Sequence, residues 1–123
     1  MVLGFAGSRS CTYYQSSHII LDFLIKYAPS KIVSGGARGI DTIAEGLAYI
    51  LNIETEIFLP DWSLGKHAGF LRNTLIAENC DILIAIYNHG FRTGGTADTV
   101  RKAIKMGKKV HEIFLKPIDF FSF

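Results

Sequence analysis

The chain has 123 residues, of which 49% are hydrophobic and 20% charged, and its formal net charge is +2. This length fits one domain with one core, and the composition excludes a disordered chain. The apolar runs are interrupted every few residues, which excludes a membrane-spanning helix, and the small net charge does not by itself indicate a nucleic-acid partner. Cys11 and Cys80 form neither a CxxC pair nor a zinc-ligand spacing, so we expect a reduced, cytoplasmic protein without a metal site or a cofactor.

Strands and helices are predicted to alternate along the chain. Five apolar or β-branched stretches are predicted as strands, at residues 2–6, 31–34, 54–59, 81–87 and 108–115. Apolar residues at helical spacing predict four helices, the first ending before Pro29, the second at about residues 38–51, the third at about 68–79 and the fourth ending at Gly107. The side chains predicted to face inward from the third and fourth helices are Leu71, Leu75, Ile76, Ala97, Val100, Ala103 and Ile104.

This alternation predicts an α/β fold, a single Rossmann-like three-layer domain over residues 1–115. Parallel strands need a crossover connection, and the crossovers here are helices. Residues 81–87 are apolar on both faces, which is typical of a central strand, and the predicted five-stranded parallel sheet has the order 3-2-1-4-5. Right-handed crossovers then place every strand-to-helix loop at the carboxyl edge of the sheet.

The C-terminal part of the chain combines a basic cluster with an apolar tail. Residues 101–109 carry five basic side chains, which suit the C-terminus of a helix or, alternatively, a ligand or nucleic acid. Residues 116–123 contain Phe120, Phe121 and Phe123. Because so much apolar surface is unfavourable in water, we expect this tail to form a homo-oligomer contact, with packing back onto the domain as the alternative.

The loops predicted at the carboxyl edge are rich in glycine and polar residues. They are residues 7–10, 35–39, 61–67 and 88–96. Three of them place glycine at the start of a helix, where free N–H groups and the helix dipole favour a phosphate, a carboxylate or a polar sugar edge. Glycine after a strand also occurs in simple tight turns. Several such loops at one edge nevertheless favour a shared phosphate-binding site.

Four arginines are candidate partners for a phosphate. They are Arg9, Arg38, Arg72 and Arg92. A guanidinium group can hold a phosphate through two parallel hydrogen bonds. Arg38 has an alternative role, because it could pair with Asp41 or Thr42 within the start of its own helix.

Other polar and aromatic residues also have two interpretations. Ser8 and Ser34 lie beside glycine turns, where a hydroxyl can cap a helix or contact a ligand. Trp62 could stack on a base or fill a local hydrophobic gap. Asp41 and Asp98 could complement a helix dipole or accept a hydrogen bond from a ribose or a base edge.

Four motifs occur in order: GSRS after the first strand, SGGARGID after the second, FLRN in the third helix and GGTADT after the fourth strand. In this order, over about residues 2–112, they resemble the SLOG superfamily, whose Rossmann-like members include the DNA-processing protein A group and the Lonely Guy phosphoribohydrolases. The LPDW…GKHAGFLRN stretch resembles small stand-alone members related to the bacterial YspA and YpsA proteins. The resemblance implies a nucleotide or nucleotide-derived ligand. It also implies ligand contacts from Gly7, Ser8, Gly35, Gly36, Arg38, Arg72, Gly94, Gly95 and Thr96.

This chain departs from the motif of the related hydrolases, GGxGTxxE after the fourth strand. Arg101 stands where the resemblance places the catalytic glutamate, so the charge is inverted. Cleavage of an N-glycosidic bond passes through a cation-like transition state that needs a nearby anion or a base. The candidate catalytic residues are therefore Asp98, Asp41 and Glu45.

The sequence predicts a protein that binds a nucleotide or nucleotide derivative, NAD-like and ADP-ribose-like ligands included. In this hypothesis the glycine turns hold phosphates, Arg38 and Arg72 neutralise charge, and Asp41 or Trp62 contacts the sugar or the base. The alternatives are a nucleoside 5′-monophosphate N-glycosidase and a single-stranded DNA-binding protein. The predicted ligand-binding residues are Gly7, Ser8, Arg9, Ser34, Gly35, Gly36, Arg38, Gly39, Asp41, Trp62, Arg72, Gly94, Gly95 and Thr96.

Overall fold

Five strands and four α-helices alternate in the computed structural model, which describes residues 1–115. The strands are β1 Val2–Gly7, β2 Lys31–Ser34, β3 Glu54–Ile57, β4 Ile82–Tyr87 and β5 Lys109–Phe114. The helices are α1 Tyr13–Tyr27, α2 Ile40–Ile50, α3 Ala68–Asn79 and α4 Gly94–Lys105, and a short 3₁₀ segment, Trp62–His67, precedes α3. Each strand and helix lies where the sequence pattern predicts it, and the ends differ by at most two residues.

The sheet has the predicted order β3-β2-β1-β4-β5, and all neighbouring strands are parallel. The chain moves outward from β1 through β2 to β3, and then returns through α3 to pair β4 with the free side of β1. Connections on the two sides of this reversal leave in opposite directions, so a crevice opens beyond the carboxyl ends of β1 and β4. The predicted fold is confirmed, and this crevice is where a ligand is expected.

Two helices cover each face of the sheet. α1 and α2 pack over a core that includes Phe5 and Ile84, and α3 and α4 pack over a core that includes Leu83. Side chains of β4 therefore enter both cores, as predicted for a central strand. Cys11 and Cys80 are free thiols buried on opposite faces of the sheet, and burial raises the pKa of each to about 11.

The predicted inward faces of α3 and α4 are partly wrong. Leu71 and Leu75 are 52% and 42% exposed, and Ile104 is 58% exposed. Ile76 is buried as predicted, and the rest of the buried face of α3 consists of Ala68, Asn73 and Ala77. α3 packs along α4 as well as on the sheet, so its inward stripe is rotated from the one that apolar spacing alone indicates. The spacing of apolar residues indicates one face of a helix, but the elements that pack against the helix decide which face is buried.

Residues 116–123 lie outside the described part of the chain, and so do the predictions of an apolar tail and of a homo-oligomer contact. Among residues 1–115, no helix has the length and apolar composition needed to cross a membrane. The same residues contain no group of three or more His, Cys, Asp or Glu side chains placed to hold a metal ion.

Candidate functional site

A cavity of about 390 Å³ opens at the reversal point between β1 and β4, and we call it cavity one. Its volume lies at the lower end of the roughly 300–1,000 Å³ typical of small-molecule sites. The lining comes from the end of β1 and the loop after it, from α2 and the loop before it, from one face of α3, and from the start of α4 with the residue before it. The lining residues are Ala6, Gly7, Ser8, Arg9, Ser10, Ala37, Asp41, Arg72, Asn73, Ile76, Thr93, Gly94, Gly95, Thr96 and Thr99.

The start of α4 brings free hydrogen-bond donors to cavity one. Gly94 has a positive φ of 65°, and the first hydrogen bond of the helix runs from the Ala97 N–H to the Thr93 carbonyl. The N–H groups of Gly94, Gly95 and Thr96 donate to no partner within residues 1–115, and Thr93 makes no capping bond through its side chain. These donors, together with the positive end of the helix dipole, suit an anionic group.

The loop after β1 is tied to the loop after β4. The Ser8 N–H donates to the Ile86 carbonyl at 3.0 Å, and the Ser8 hydroxyl accepts from the Asn88 N–H at 3.1 Å. The Asn88 side chain also donates to the Ser10 hydroxyl at 2.8 Å. Arg9 lies between these two serines, is exposed, and forms no ion pair among residues 1–115. Its guanidinium is therefore free to bind an anion.

The glycine loop between β2 and α2 has a different arrangement. The Asp41 side chain turns back over the loop, and its Oδ2 accepts hydrogen bonds from the N–H groups of Gly35 at 3.2 Å and Ala37 at 3.1 Å. Donors that the sequence assigns to a ligand phosphate are thus held by the chain's own carboxylate. Gly39 has a φ of 78°, and a Cβ there would lie 2.4 Å from the Ser8 carbonyl oxygen. This glycine lets the loops after β1 and β2 pack together.

Asp41 is a buried acid with an incomplete set of partners. It is 6% exposed, and its Oδ1 has no hydrogen-bond partner within residues 1–115. Burial raises the pKa of Asp41 to about 6, while the Ala37 N–H and the Arg72 guanidinium act in the opposite direction. Asp41 is the only carboxylate in the described part of the chain that lines cavity one. Burial thus moves the pKa of Asp41 toward neutral pH.

Arg72 reaches from α3 to the glycine loop. Its Nη1 donates to the Gly35 carbonyl at 2.6 Å, and its Nε donates to Asn73 Oδ1 at 3.0 Å. Burial lowers the pKa of Arg72, the carboxylate of Asp41 raises it, and the guanidinium of Arg9 lowers it. Arg72 therefore fixes the loop to α3 and places a second positive charge near Arg9.

A second cavity of about 320 Å³ adjoins the first, and we call it cavity two. Arg9, Ala37 and Arg72 line both cavities. The other residues of cavity two come from the glycine loop, from the end of the segment after β3 and from the 3₁₀ segment. They are Gly35, Gly36, Arg38, Leu59, Pro60 and Trp62.

The sequence allowed two interpretations for each of two side chains of cavity two, Trp62 and Arg38. Trp62 is 63% exposed, so its ring does not fill a hydrophobic gap. Arg38 is exposed and forms no ion pair among residues 1–115. Asp41 bonds to the loop N–H groups instead, and the Thr42 hydroxyl donates to the Ala37 carbonyl at 2.7 Å. Both Trp62 and Arg38 are available to a ligand.

Two of the three candidate catalytic acids are engaged elsewhere. Asp98 Oδ2 accepts hydrogen bonds from Asn73 Nδ2 at 3.1 Å and from Lys102 Nζ at 2.8 Å. Glu45 accepts a hydrogen bond from the Ser34 hydroxyl. Neither acid lines cavity one or cavity two. Asp41 is the candidate acid that the fold brings to the crevice.

The structure brings most of the predicted ligand-binding residues to the two adjoining cavities. Those lining cavity one are Gly7, Ser8, Arg9, Asp41, Arg72, Gly94, Gly95 and Thr96, and cavity two adds Gly35, Gly36, Arg38 and Trp62. Ser34 and Gly39 line neither cavity, because Ser34 bonds to Glu45 and Gly39 packs against Ser8. Ligand binding by all of these residues stays a prediction.

No family model matches the chain. The gene 61 protein of Mycobacterium phage D29 is 37% identical to it over an alignment of 93 residues, and the match covers 70% of this chain and 73% of that protein. The chain belongs to the gene 61 protein family.

A solved structure is similar to this gene 61 family member. It is DNA processing protein A (DprA) from Streptococcus pneumoniae, with a TM-score of 0.71 and 20% sequence identity, and the match covers 98% of this chain and 51% of that one. The chain thus spans about half the length of the DprA structure. The likeness establishes a shared Rossmann-like fold.

Asn73 is a residue of cavity one that the sequence pattern of this gene 61 family member did not reveal. It is 6% exposed, and its Nδ2 donates to the Gly95 carbonyl at 3.3 Å and to Asp98 Oδ2 at 3.1 Å. Asn73 therefore fixes the start of α4, where the free N–H groups lie. The FLRN motif contains the signal, a polar residue on the buried side of a helix directly after Arg72. Three further polar residues of the lining, Ser10, Thr93 and Thr99, were not among the predicted ligand-binding residues.

Proposed function

We propose that the chain binds a nucleotide or a nucleotide derivative in cavity one, with a phosphate group at the start of α4. One observation carries this proposal: the free N–H groups of Gly94, Gly95 and Thr96 lie in the same cavity as Arg9 and Arg72. Unpaired N–H groups at a helix start and planar guanidinium groups are the partners that phosphate prefers. The cavity also lies at the reversal point of the sheet, where folds of this type bind ligands.

The loop before α4 and the glycine loop after β2 have different tasks. The start of α4 binds phosphate because its donors are free. The loop after β2 does not offer the Gly35 and Ala37 N–H groups, since Asp41 already holds them. Its task is to present Asp41, whose Oδ1 has no partner among residues 1–115. Such an oxygen suits a hydrogen-bond donor on the sugar or the base, because a buried acceptor without a partner is costly.

Gly95 offers a sharp test of the phosphate position. A Cβ at Gly95 would lie 3.6 Å from Asn73 Nδ2, an ordinary contact, and an acid in the first turn of a helix stabilises it. In Gly95→Asp we expect an unchanged or higher unfolding midpoint but at least about tenfold weaker nucleotide binding, because like charges repel. Gly95→Asn is the neutral control of the same size.

Calorimetry and thermal-shift measurements with mononucleotides, NAD and ADP-ribose measure this effect. The expected order of affinity is wild type, then Gly95→Asn, then Gly95→Asp. Equal affinities of the Asp and Asn variants would place the phosphate elsewhere. The absence of any nucleotide binding by the wild type would refute the proposed function.

N-glycoside hydrolysis is a second candidate function, and one observation favours it. Asp41 lines cavity one, and burial raises its pKa to about 6. A general acid or base is most effective when its pKa lies near the working pH, so this shift favours such a role near neutral pH. For this function we expect the wild type to release free base from nucleoside monophosphates and the Asp41→Asn variant to release none. If the wild type releases no base while it binds nucleotide, the protein binds its ligand without cleaving it.

DNA binding is suggested by the name of the DprA structure, which is a DNA processing protein. We propose, on the motifs described above, that the chain is a small stand-alone member of the SLOG superfamily related to YspA and YpsA. A DNA-binding member is expected to lose affinity steeply with salt, because binding releases counterions from the phosphates. Filter binding of a single-stranded oligonucleotide at several salt concentrations tests this alternative.

A further inference from the structure

Resting on the proposed nucleotide-binding function, we infer that the ligand has two parts joined by a diphosphate, one part in cavity one and the other in cavity two. The two cavities meet at Arg9, Ala37 and Arg72, which line both. One phosphoryl group then faces the free N–H groups of α4, and the other faces the arginines of cavity two. The ligand class is a dinucleotide or a nucleoside diphosphate derivative, and not a nucleoside monophosphate.

The charge of cavity two supports an anion at this junction. Arg9, Arg38 and Arg72 all line the cavity, and no acidic side chain of residues 1–115 lines it with them. Arg9 and Arg38 form no ion pair among these residues. The guanidinium of Arg9 also lowers the pKa of Arg72, so the two like charges lie close enough to repel each other. A diphosphate between them removes this repulsion and accepts bidentate hydrogen bonds.

The uncharged lining of cavity two supports a planar group as the second part. Trp62 is the aromatic side chain of this cavity, it is 63% exposed, and Leu59 and Pro60 line the same space. A base ring that stacks on an exposed indole covers apolar surface on both partners. Cavity one has a different chemistry, with the carboxylate of Asp41 and free backbone N–H groups. The two cavities are therefore suited to two different parts of one molecule.

Calorimetry on the full chain with AMP, ADP-ribose and diadenosine diphosphate tests this inference. We expect diadenosine diphosphate to bind at least about tenfold more tightly than AMP, because it alone places a second base on Trp62. Trp62→Ala is expected to weaken diadenosine diphosphate by about tenfold and to leave AMP unchanged. Arg9→Gln is expected to weaken the diphosphate ligands more than AMP.

Two matched controls separate these effects from general damage. Tyr49→Ala removes an aromatic ring that is 85% exposed and lines neither cavity. Arg101→Gln removes an arginine charge outside both cavities. Both variants are expected to bind diadenosine diphosphate as the wild type does.

The outcomes distinguish this inference from the proposed function. If AMP binds as tightly as diadenosine diphosphate, and Trp62→Ala weakens both alike, the ligand has one part; the inference then fails while the proposed function stands. If no nucleotide binds, the proposed function fails and this inference fails with it. Tighter binding of a short oligodeoxythymidylate than of either ligand, with a steep salt dependence, would overturn the two-part small molecule in favour of a DNA strand.

Discussion

Replacing Asp41 by asparagine should raise the free energy of unfolding of the unliganded protein at neutral pH, although it removes the carboxylate proposed to contact the ligand. Asp41 is 6% exposed, and burial raises its pKa from 3.8 to about 6. Near neutral pH the folded protein therefore carries a charged group in an environment that disfavours it. An asparagine has nearly the same shape, its carbonyl oxygen can still accept from the Gly35 and Ala37 N–H groups, and it carries no charge.

The pH dependence follows from the direction of the pKa shift. A carboxyl whose pKa is higher in the folded state than in the unfolded state stabilises the protein below the unfolded value, and this contribution is lost as the pH rises through the folded value. For Asp41 the window lies between pH 3.8 and about 6. A difference of roughly 2 pKa units corresponds to about 3 kcal/mol over the whole window. Asparagine does not titrate, so its advantage over Asp41 grows across the same window.

Urea unfolding of the wild type and of Asp41→Asn at several pH values measures this difference, because the titration of other groups cancels between the two proteins. We expect the free energy of unfolding of the variant, relative to the wild type, to rise by about 2 kcal/mol between about pH 4.5 and about pH 7.5. A difference that is flat or that shrinks as the pH rises would refute the reasoning. In Arg72→Gln the cation that opposes the shift is removed, so the pKa of Asp41 measured by NMR should rise further.

Two further predictions concern packing around the site. Gly39→Ala should destabilise the protein by about 3 kcal/mol or more, because φ is 78° and the Cβ would lie 2.4 Å from the Ser8 carbonyl oxygen. Gly46→Ala, with open space around the new Cβ in α2, should stabilise it by about 0.5–1 kcal/mol; equal effects in urea unfolding would argue against the contact at Gly39. Ile76→Ala should cost about 2–5 kcal/mol, since Ile76 is 2% exposed, whereas Leu75→Ala, at 42% exposure, should cost under about 1.5 kcal/mol. A larger loss at Leu75 would contradict the observed orientation of α3.

The fold and the location of the candidate site were predictable because they depend on repeating patterns and chain connectivity. Strands and helices that alternate need crossovers, crossovers have one hand, and residues 81–87 are apolar on both faces, so the strand order and the loop-bearing edge follow. Arg9, Arg38 and Arg72 line the two adjoining cavities at this edge, as predicted. The prediction for Arg92 was wrong, because its guanidinium pairs with Glu112 on β5 and lines neither cavity. The orientation of α3 was not predictable from spacing, because a buried Asn73 that bonds to Gly95 and Asp98 faces α4.

The sequence by itself determined the order of the elements, the strand order and the edge of the sheet that carries the polar loops. Helical spacing can be read from each segment alone, and the right-handed crossover rule needs only the order in which the segments are connected. Only the tertiary structure decided which polar groups are free. Asp41 accepts hydrogen bonds from the N–H groups of the glycine loop after β2, and Asp98 accepts them from Asn73 and Lys102. The N–H groups at the start of α4 have no partner within residues 1–115. Groups that are distant in sequence compete for the same hydrogen-bond partners, and only their positions in the folded chain decide which of them are paired.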